Sequence, residues 1–460
     1  MKHIALLLVL FHCKIAICSI INIPVDQSSI QAGINSANAG DTILVAPGIY
    51  MESINLSIDS LTVASWFITT GDTSYIDQTI IDGNGMTVFT INAPVSEAVS
   101  IVGFTIQNGN DGILANAKFQ LLHNYIINCI DGIDYESGSG GICKNNIFMN
   151  NTDDGIDLDG TVDILIEDNI ISNNNDDGIE IRLNDYIGNP INYVIRRNEI
   201  YGNGEDGIQL IDYPGTSNRI FLIERNCIYD NGMAGIGCMS NGNTIENYEG
   251  APIPETIYLF NNTIDNNEYG LTGGYNLVAV NNIFTNSIIV ACKNVTGNSE
   301  ITYSLFYGNG LDTLNCNIDL SMTLFTDAQY DSDYNLLPGS PCIDAGTFLV
   351  LWQSDTVLNL SPNQYFESYP DIGAKESPFN PTGYSSETYP NFKIYPNPTS
   401  NYLFIKLENS NDNDLKIYSI LGELIFLNNN QSTITIDVSK WNRGVYIIQT
   451  SGISKKLILK

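Results

Sequence analysis

Apolar and polar positions alternate through the middle of this chain in short runs, each closed by Asn or Gly. The runs keep a register. Asp-Gly-Ile places its glycine at Gly112, Gly132, Gly155, Gly178 and Gly207, and at Gly235 with Ala in place of Asp. After each copy stands an Asn-Ile or Asn-x-Ile step, at Asn124, Asn146, Asn169, Asn198, Asn226 and Asn262. The glycine spacings are 20, 23, 23, 29 and 28 residues. Period-two alternation between turn residues predicts strands rather than helices. A repeat of this length built from such strands predicts a solenoid, in which one coil cannot bury its own apolar face and stacking makes the core. Equivalent positions then form straight columns, so an alignment of coils maps a surface.

The pattern changes at both ends. Residues 28–37 space Ile30, Ile34 and Ala37 for a short helix with Ser28 as cap, a plug for the first open coil. Residues 41–46 follow as a buried strand, stopped by Pro47-Gly48. Coils are expected over about 53–309, with excursions at 186–192 and 240–254 that would sit on one side and build a binding face. The Asn before each Ile is expected to stack as an amide ladder with a structural role. Residues 377–391, rich in Pro, Ser, Thr and Gly, read as a linker. Alternation resumes at 392, with strands at 415–418, 444–448 and 455–460, and predicts a small β-sandwich.

Two family resemblances sharpen this. Residues 22–52, with Ile30-Gln31, Gly40-Asp41-Thr42 and Pro47-Gly48-Ile49-Tyr50, resemble the opening of exported right-handed parallel β-helix (pectin-lyase-like) proteins. Residues 337–346 and 371–374 resemble their closing segment. Phe392-Lys393-Ile394-Tyr395-Pro396-Asn397-Pro398, Gly444-Val445-Tyr446 and the basic last strand resemble the type A sorting domain of the type IX secretion system. That resemblance implies a Bacteroidetes-type bacterium, passage across the outer membrane, and release or surface attachment. The expected fold is all-β: a single-stranded right-handed parallel β-helix with an N-terminal helical cap, then a small C-terminal β-sandwich. The expected segments are a signal peptide at 1–18, the β-helix with caps at 19–376, the linker at 377–391 and the sorting domain at 392–460.

Charge narrows the partners. The 460 residues carry a formal net charge of −32. This argues against nucleic acid and anionic membranes, and favours cations or neutral ligands. An anionic polysaccharide would need a local basic patch or bridging cations. Lys2, the apolar stretch from Ile4 and the small residues near Ala16 and Cys18 read as a secretory signal cut near Ser19. No other apolar run approaches the roughly 20 residues of a membrane span. Cys129, Cys143, Cys227, Cys238, Cys292, Cys316 and Cys342 would remain, an odd number without metal-type pairs. Buried thiols and bridges both stay open. A monomer is expected.

The columns locate candidate chemistry. Two places after the glycine stand Leu114, Asp134, Asp157, Glu180 and Gln209; four places after stand Asn116, Glu136, Asp159, Arg182 and Ile211. Alternation turns both columns outward, with neighbouring coils about 4.8 Å apart. Carboxylates so close raise one another's pKa or require a cation. Three readings stand. The Asp before each Gly is a turn former and the outward acids are solvated surface. Asp134, Asp157, Asp159 and Glu180 bind Ca²⁺. Or the ladder is a hydrolase or lyase site. For the last, residues 151–157 and 176–179 resemble the Asn-Thr-Asp-Gly and Asp-Asp motifs of polygalacturonase-like glycoside hydrolases. By position that resemblance makes Asp154 (or Asp153), Asp176 and Asp177 the acid/base carboxylates, with an inverting gap of about 6.5–9.5 Å. Arg182, the one cation in the ladder, joins them as a catalytic candidate. The family's Gly-His-Gly is replaced by Gly202-Asn203-Gly204, and its Arg-Ile-Lys by Arg219-Ile220-Phe221. The expected function is therefore a secreted or surface protein that degrades or binds polysaccharide. The alternative is a non-catalytic Ca²⁺-binding adhesin or structural protein.

Overall fold

The computed structural model describes residues 18–92, 98–215, 217–240, 250–366 and 368–379, and beyond these 392–395, 399, 401–407, 415–419, 424–428, 433–450 and 453–459. The expected signal segment up to residue 17, residues 241–249 of the second excursion, 380–391 of the linker, and Pro396-Asn397-Pro398 lie outside them. The chain divides into two compact units, Met1–Gly383 and Tyr384–Lys460.

The first unit is a right-handed parallel β-helix of three sheets. Twelve strands from Ile20–Ile23 to Glu300–Thr302 form the first sheet, and twelve from Gly48–Met51 to Leu324–Phe325 the second. Eleven from Ile54–Leu56 to Thr313–Leu314 form the third. One coil runs through Asp131–Tyr135 in the third sheet, Gly140–Lys144 in the first and Ile147–Met149 in the second, then returns to the third at Ile156–Asp159. The repeated isoleucine is the core residue: Ile113, Ile133, Ile156, Ile179, Ile208 and Ile236 are buried in one continuous cluster. The repeated glycine is required by the next coil. A Cβ on Gly132 would lie 2.4 Å from the Gly155 carbonyl oxygen, and one on Gly178 2.6 Å from that of Gly207.

Corners are set by left-handed residues. His123, Asn145, Asp168, Arg197, Arg225, Asn261 and Asn281 all have φ between 53° and 57°. Each precedes one amide of the expected ladder, Asn124-Asn146-Asn169-Asn198-Asn226-Asn262-Asn282. Every Oδ1 from Asn146 onward accepts the backbone N–H of the Asn one coil earlier. A second ladder, Asn151-Asn174-Asn203-Asn231-Asn267, repeats the device five residues on. Asn198 accepts from Asn169 through its backbone N and Nδ2, and donates to Ile166 O and Asn226 Oδ1. Because Asn198→Ala strands a buried backbone N–H, it should cost about 3 kcal/mol in urea unfolding. The exposed Asn116→Ala should change stability by less than about 0.5 kcal/mol.

The N-terminal plug forms at Ile30–Ser36, and its cap is Ser29 rather than Ser28: the Ser29 hydroxyl accepts from Ala32 N at 3.1 Å. Glu52 accepts the next two free amides, Ile30 N and Gln31 N. Sequence spacing allows either serine to cap; burial of Ile30 and Ile34 fixes the phase. The first excursion extends the first sheet as Tyr186–Arg196, with a register shift between Tyr186 and Ile191. At the far end Cys342, Ile343 and Ile372 pack on Ile283 and Leu305. Asp371 ties this closing segment by accepting Asp344 N and Ser377 N. All described cysteines are free.

The second unit holds a three-stranded and a four-stranded antiparallel sheet. They enclose Leu403, Ile405, Leu415, Ile417, Ile448 and Leu457. The expected strands appear as Leu415–Ser419, Gly444–Thr450 and Ile453–Leu459.

Candidate functional site

The acidic columns lie on the third sheet. Pairing places Asp134 beside Asp157, Asp157 beside Glu180, Glu180 beside Gln209, and Asp159 beside Arg182. Ile156 and Leu158 enter the core, so Asp157 and Asp159 between and after them leave it on the opposite face. Their surface is not a solvated one: Asp157 and Glu180 are each 7% exposed. The shield is the row itself and Arg182. Its Nη1 donates to Asp157 Oδ2 at 2.9 Å and to Asp159 Oδ1 at 3.0 Å, and its Nη2 pairs with Glu180.

Burial and mutual repulsion hold protons on this row. Desolvation, then Asp157, pushes Asp134 up to about 7. Desolvation pushes Asp157 to about 7 and Glu180 to about 8, although Arg182 pulls both the other way. Desolvation works against the Arg182 charge too, but its three carboxylates raise its pKa further still. Asp134 Oδ1 and Asp157 Oδ1 are buried without a hydrogen-bond partner, two open acceptors on one row.

Behind the row runs a column at the turn. Asp131 Oδ1 accepts Asp154 N, Asp154 Oδ1 accepts Asp177 N, Asp177 Oδ1 accepts Asp206 N, and Asp206 Oδ1 accepts Ala234 N. Asp154 and Asp177 are buried, and desolvation with neighbouring carboxylates raises both well above the ordinary range. They are turn formers, and their burial favours the protonated form. Asp153, Asp176 and Glu205 form an outer column; burial, then Glu205, lifts Asp176 to about 6.

The expected site residues are thus brought together in two layers. Asp134, Asp157, Asp159, Glu180 and Arg182 share the outward row, while Asp154 and Asp177 hold the turn beneath it with Asp176 at the rim. Asp154, Asp157 and Glu180 each offer an oxygen within 4.8 Å of the others, closer than the inverting gap. Asp134, Asp157 and Asp159 meet the same limit, as do Asp153, Asp154 and Asp176, and Asp176, Asp177 and Glu205. Such groups of carboxylates have a geometry that can hold a metal ion. Glu205 and Asp206 complete the turn columns, and the glycine register would have found them one coil further on. Other positions of the glycosidase-like motif are spent on scaffold: Asn151 and Asn203 are ladder amides, and Arg219 donates to Asn184 O and Gly160 O.

Two known families match parts of the chain. The family described as periplasmic copper-binding protein (NosD) matches residues 67–249. The secretion system C-terminal sorting domain matches residues 393–460. Among solved structures, the A-module of mannuronan C-5 epimerase AlgE4 from Azotobacter vinelandii aligns at 16% identity and TM-score 0.48, over 64% of this chain and 93% of that one. Pectate lyase Pel9A aligns at 14% and 0.48, over 79% and 98%. The catalytic unit of a GH87 alpha-1,3-glucanase from Streptomyces thermodiastaticus aligns at 16% and 0.44, over 64% of each. No curated protein matches. The sorting domain marks the chain as secreted or attached to the cell surface by type IX secretion. Among the described residues no helix is long and apolar enough to cross a membrane.

Proposed function

We propose that this exported β-helix acts on polysaccharide through the acidic face around Arg182, in the manner of a glycoside hydrolase or polysaccharide lyase. The observation that carries the reading is the in-register row of Asp134, Asp157 and Glu180, held at about 7, 7 and 8. Carboxyls that titrate near the working pH can both give and take a proton. Glu180, the most basic, is the proton donor to the leaving oxygen. Asp157, which shares Arg182 with it, is the base or nucleophile. Arg182 balances the charge that forms as the proton moves. Asp154 and Asp177 keep the strands in place from behind, and Asp176 at the rim meets sugar hydroxyls. Oxygens within 4.8 Å suit the gap of about 5–5.5 Å used by an enzyme nucleophile better than the wider gap that admits water.

The test is a polysaccharide panel read for new reducing ends and for unsaturated uronate products, with and without Ca²⁺. Glu180→Gln should lower turnover by about 10²–10⁴-fold on whichever glycan responds. Full activity in the Glu180→Gln, Asp157→Asn double variant would remove the assignment.

A second reading rests on the two unpartnered oxygens of Asp134 and Asp157. With Asp159 they offer hard oxygen ligands of the kind Ca²⁺ takes, which suits a non-catalytic adhesin or structural surface protein as well. The copper named by the matched family does not fit. Copper favours imidazole nitrogen and soft sulfur, and the acidic groups here contain neither. His123, the one histidine among the described residues, sits at a corner against Phe67 and Asn145. Burial pushes the Cys143, Cys227 and Cys342 thiols up to about 12.

A further inference from the structure

A second charged site lies on another face, where the corner between the first and second sheets meets the closing segment. A cavity of about 330 Å³ there is lined by Arg197, Arg225, Lys375, Asp168, Glu199 and Cys227, with neighbours. Residues 19–383 hold nine Lys and Arg in all, so a third of them line this one cavity. Arg197 and Arg225 stand at left-handed corners, with φ of 53° and 56°. Asn145, Asn261 and Asn281 occupy the same corner in other coils, and Asn tolerates that conformation far better than Arg. Two arginines against the backbone preference, aimed at one cavity, point to a task other than turning the chain.

Their donors are not all spent. Arg197 is held by Glu167 and Asp168. Arg225 makes one hydrogen bond, to Gln364 O at 2.8 Å, and stands 3.9 Å from Glu376. A guanidinium has five N–H donors, so most of Arg225's have no protein acceptor among the described residues. Lys375 is exposed and meets the Asp333 carbonyl oxygen. The acids nearby are already engaged: Glu199 accepts the Tyr229 hydroxyl at 2.7 Å, and Glu376 accepts Phe366 N and Asp371 N. Burial, then Asp371, lifts Glu376 to about 7, which weakens its competition for Arg225. Beside the cavity, Tyr201 and Tyr229 stack at 4.9 Å on the strands that carry Glu199 and Cys227.

We propose that this cavity is an oxyanion subsite, taking a carboxylate, sulfate or phosphate group on Arg225 and Lys375 with Arg197 closing one side. The forked guanidinium matches two oxygens of such a group, and the ammonium adds a point charge. Its lining sets three cations against Asp168 and Glu199, an excess of one positive charge on a chain of net charge −32. The oxyanion has two sources, an acidic sugar unit of a glycan or a free inorganic ion. The subsite stands whether or not the acidic face is catalytic.

Calorimetric titration of the exported chain with sodium sulfate, sodium phosphate, and a sulfated or uronate oligosaccharide beside its neutral counterpart tests this. Saturable binding is expected, weakened at least tenfold in Arg225→Asn and in Lys375→Gln. Arg225→Asn installs the residue that other corners carry, so its thermal midpoint should match or exceed that of the native chain. A merely structural arginine would instead show a lowered midpoint with binding unchanged. Tighter binding of the acidic oligosaccharide than of either salt assigns the glycan; binding of the salts alone assigns the free ion. Absence of saturable binding by all these probes, or undiminished binding in both variants, overturns the proposal. Glu180→Gln should leave this binding intact, which separates it from the acidic face.

Discussion

Arg182→Met should destabilise the β-helix by about 3 kcal/mol at pH 8, and by much less at pH 5, in urea unfolding. An exposed ion pair would be worth less than about 1 kcal/mol. Burial decides between the two: the Asp157 and Glu180 side chains are 10% exposed and Arg182 is 29% exposed. Removing the one cation leaves Asp157, Asp159 and Glu180 facing one another on adjacent coils. At pH 5 Asp157 and Glu180 carry protons already, so little repulsion is released. Adding Glu180→Gln to Arg182→Met should recover part of the loss at pH 8, the sign of direct coupling. A pH-independent loss would mean that Arg182 acts by packing its stem rather than by charge.

The same row should make the protein less stable as pH rises from about 4 to about 8. Free Asp and Glu titrate near 4, whereas Asp134, Asp157 and Glu180 titrate at about 7, 7 and 8 in the fold. Between those limits the native state binds more protons than the unfolded state, so raising the pH favours unfolding. Glu167 works the other way. Burial would raise it, but Lys144 and Arg196 outweigh that and hold it at about 2. Its contribution is present above pH 4 and is lost as pH falls toward 2. Stability should therefore peak near pH 4–5. The decline to pH 8 should reach roughly 3 kcal/mol or more, or about 6 °C in thermal midpoint. Ca²⁺ at about a hundred times its dissociation constant should restore about 2.7 kcal/mol at pH 8 and almost nothing at pH 5. A midpoint at pH 8 that ignores Ca²⁺ would remove the calcium reading and leave the proton-transfer reading in place.

Much of the fold is legible because one interaction is written many times. Asp-Gly-Ile encodes a turn acceptor, a place where the next coil allows no side chain, and a core residue; five copies and one Ala-Gly-Ile variant fix the stacking. The second amide ladder was as readable as the first, since Asn151, Asn174, Asn203, Asn231 and Asn267 each follow a first-ladder Asn by five residues. The acidic row could be placed on one outward face by parity alone. Its burial could not, because the shield over Asp157 is Arg182 from the next coil, and reach across coils depends on side-chain conformation. The cavity at Arg225 was beyond sequence reasoning for a different reason: Lys375 joins it from 150 residues away through the closing segment. The helix cap moved by one residue because two adjacent serines offer the same chemistry.

The first amide ladder also has a direction. Each Asn from 146 to 226 turns its carbonyl toward the preceding coil and donates its Nδ2 to the following one. Seven side-chain dipoles thus add head to tail along the axis, as peptide dipoles do along a helix. The stack is terminated by specific groups: Phe104 N donates into Asn124 at one end, and the Ser304 hydroxyl accepts from Asn282 N at the other. Duplicating or deleting a whole coil between those two points preserves every bond. A change that crosses either point leaves a buried amide facing nothing. The permitted lengths of this solenoid are therefore quantised in coils, and are decided by its two terminators rather than by its core.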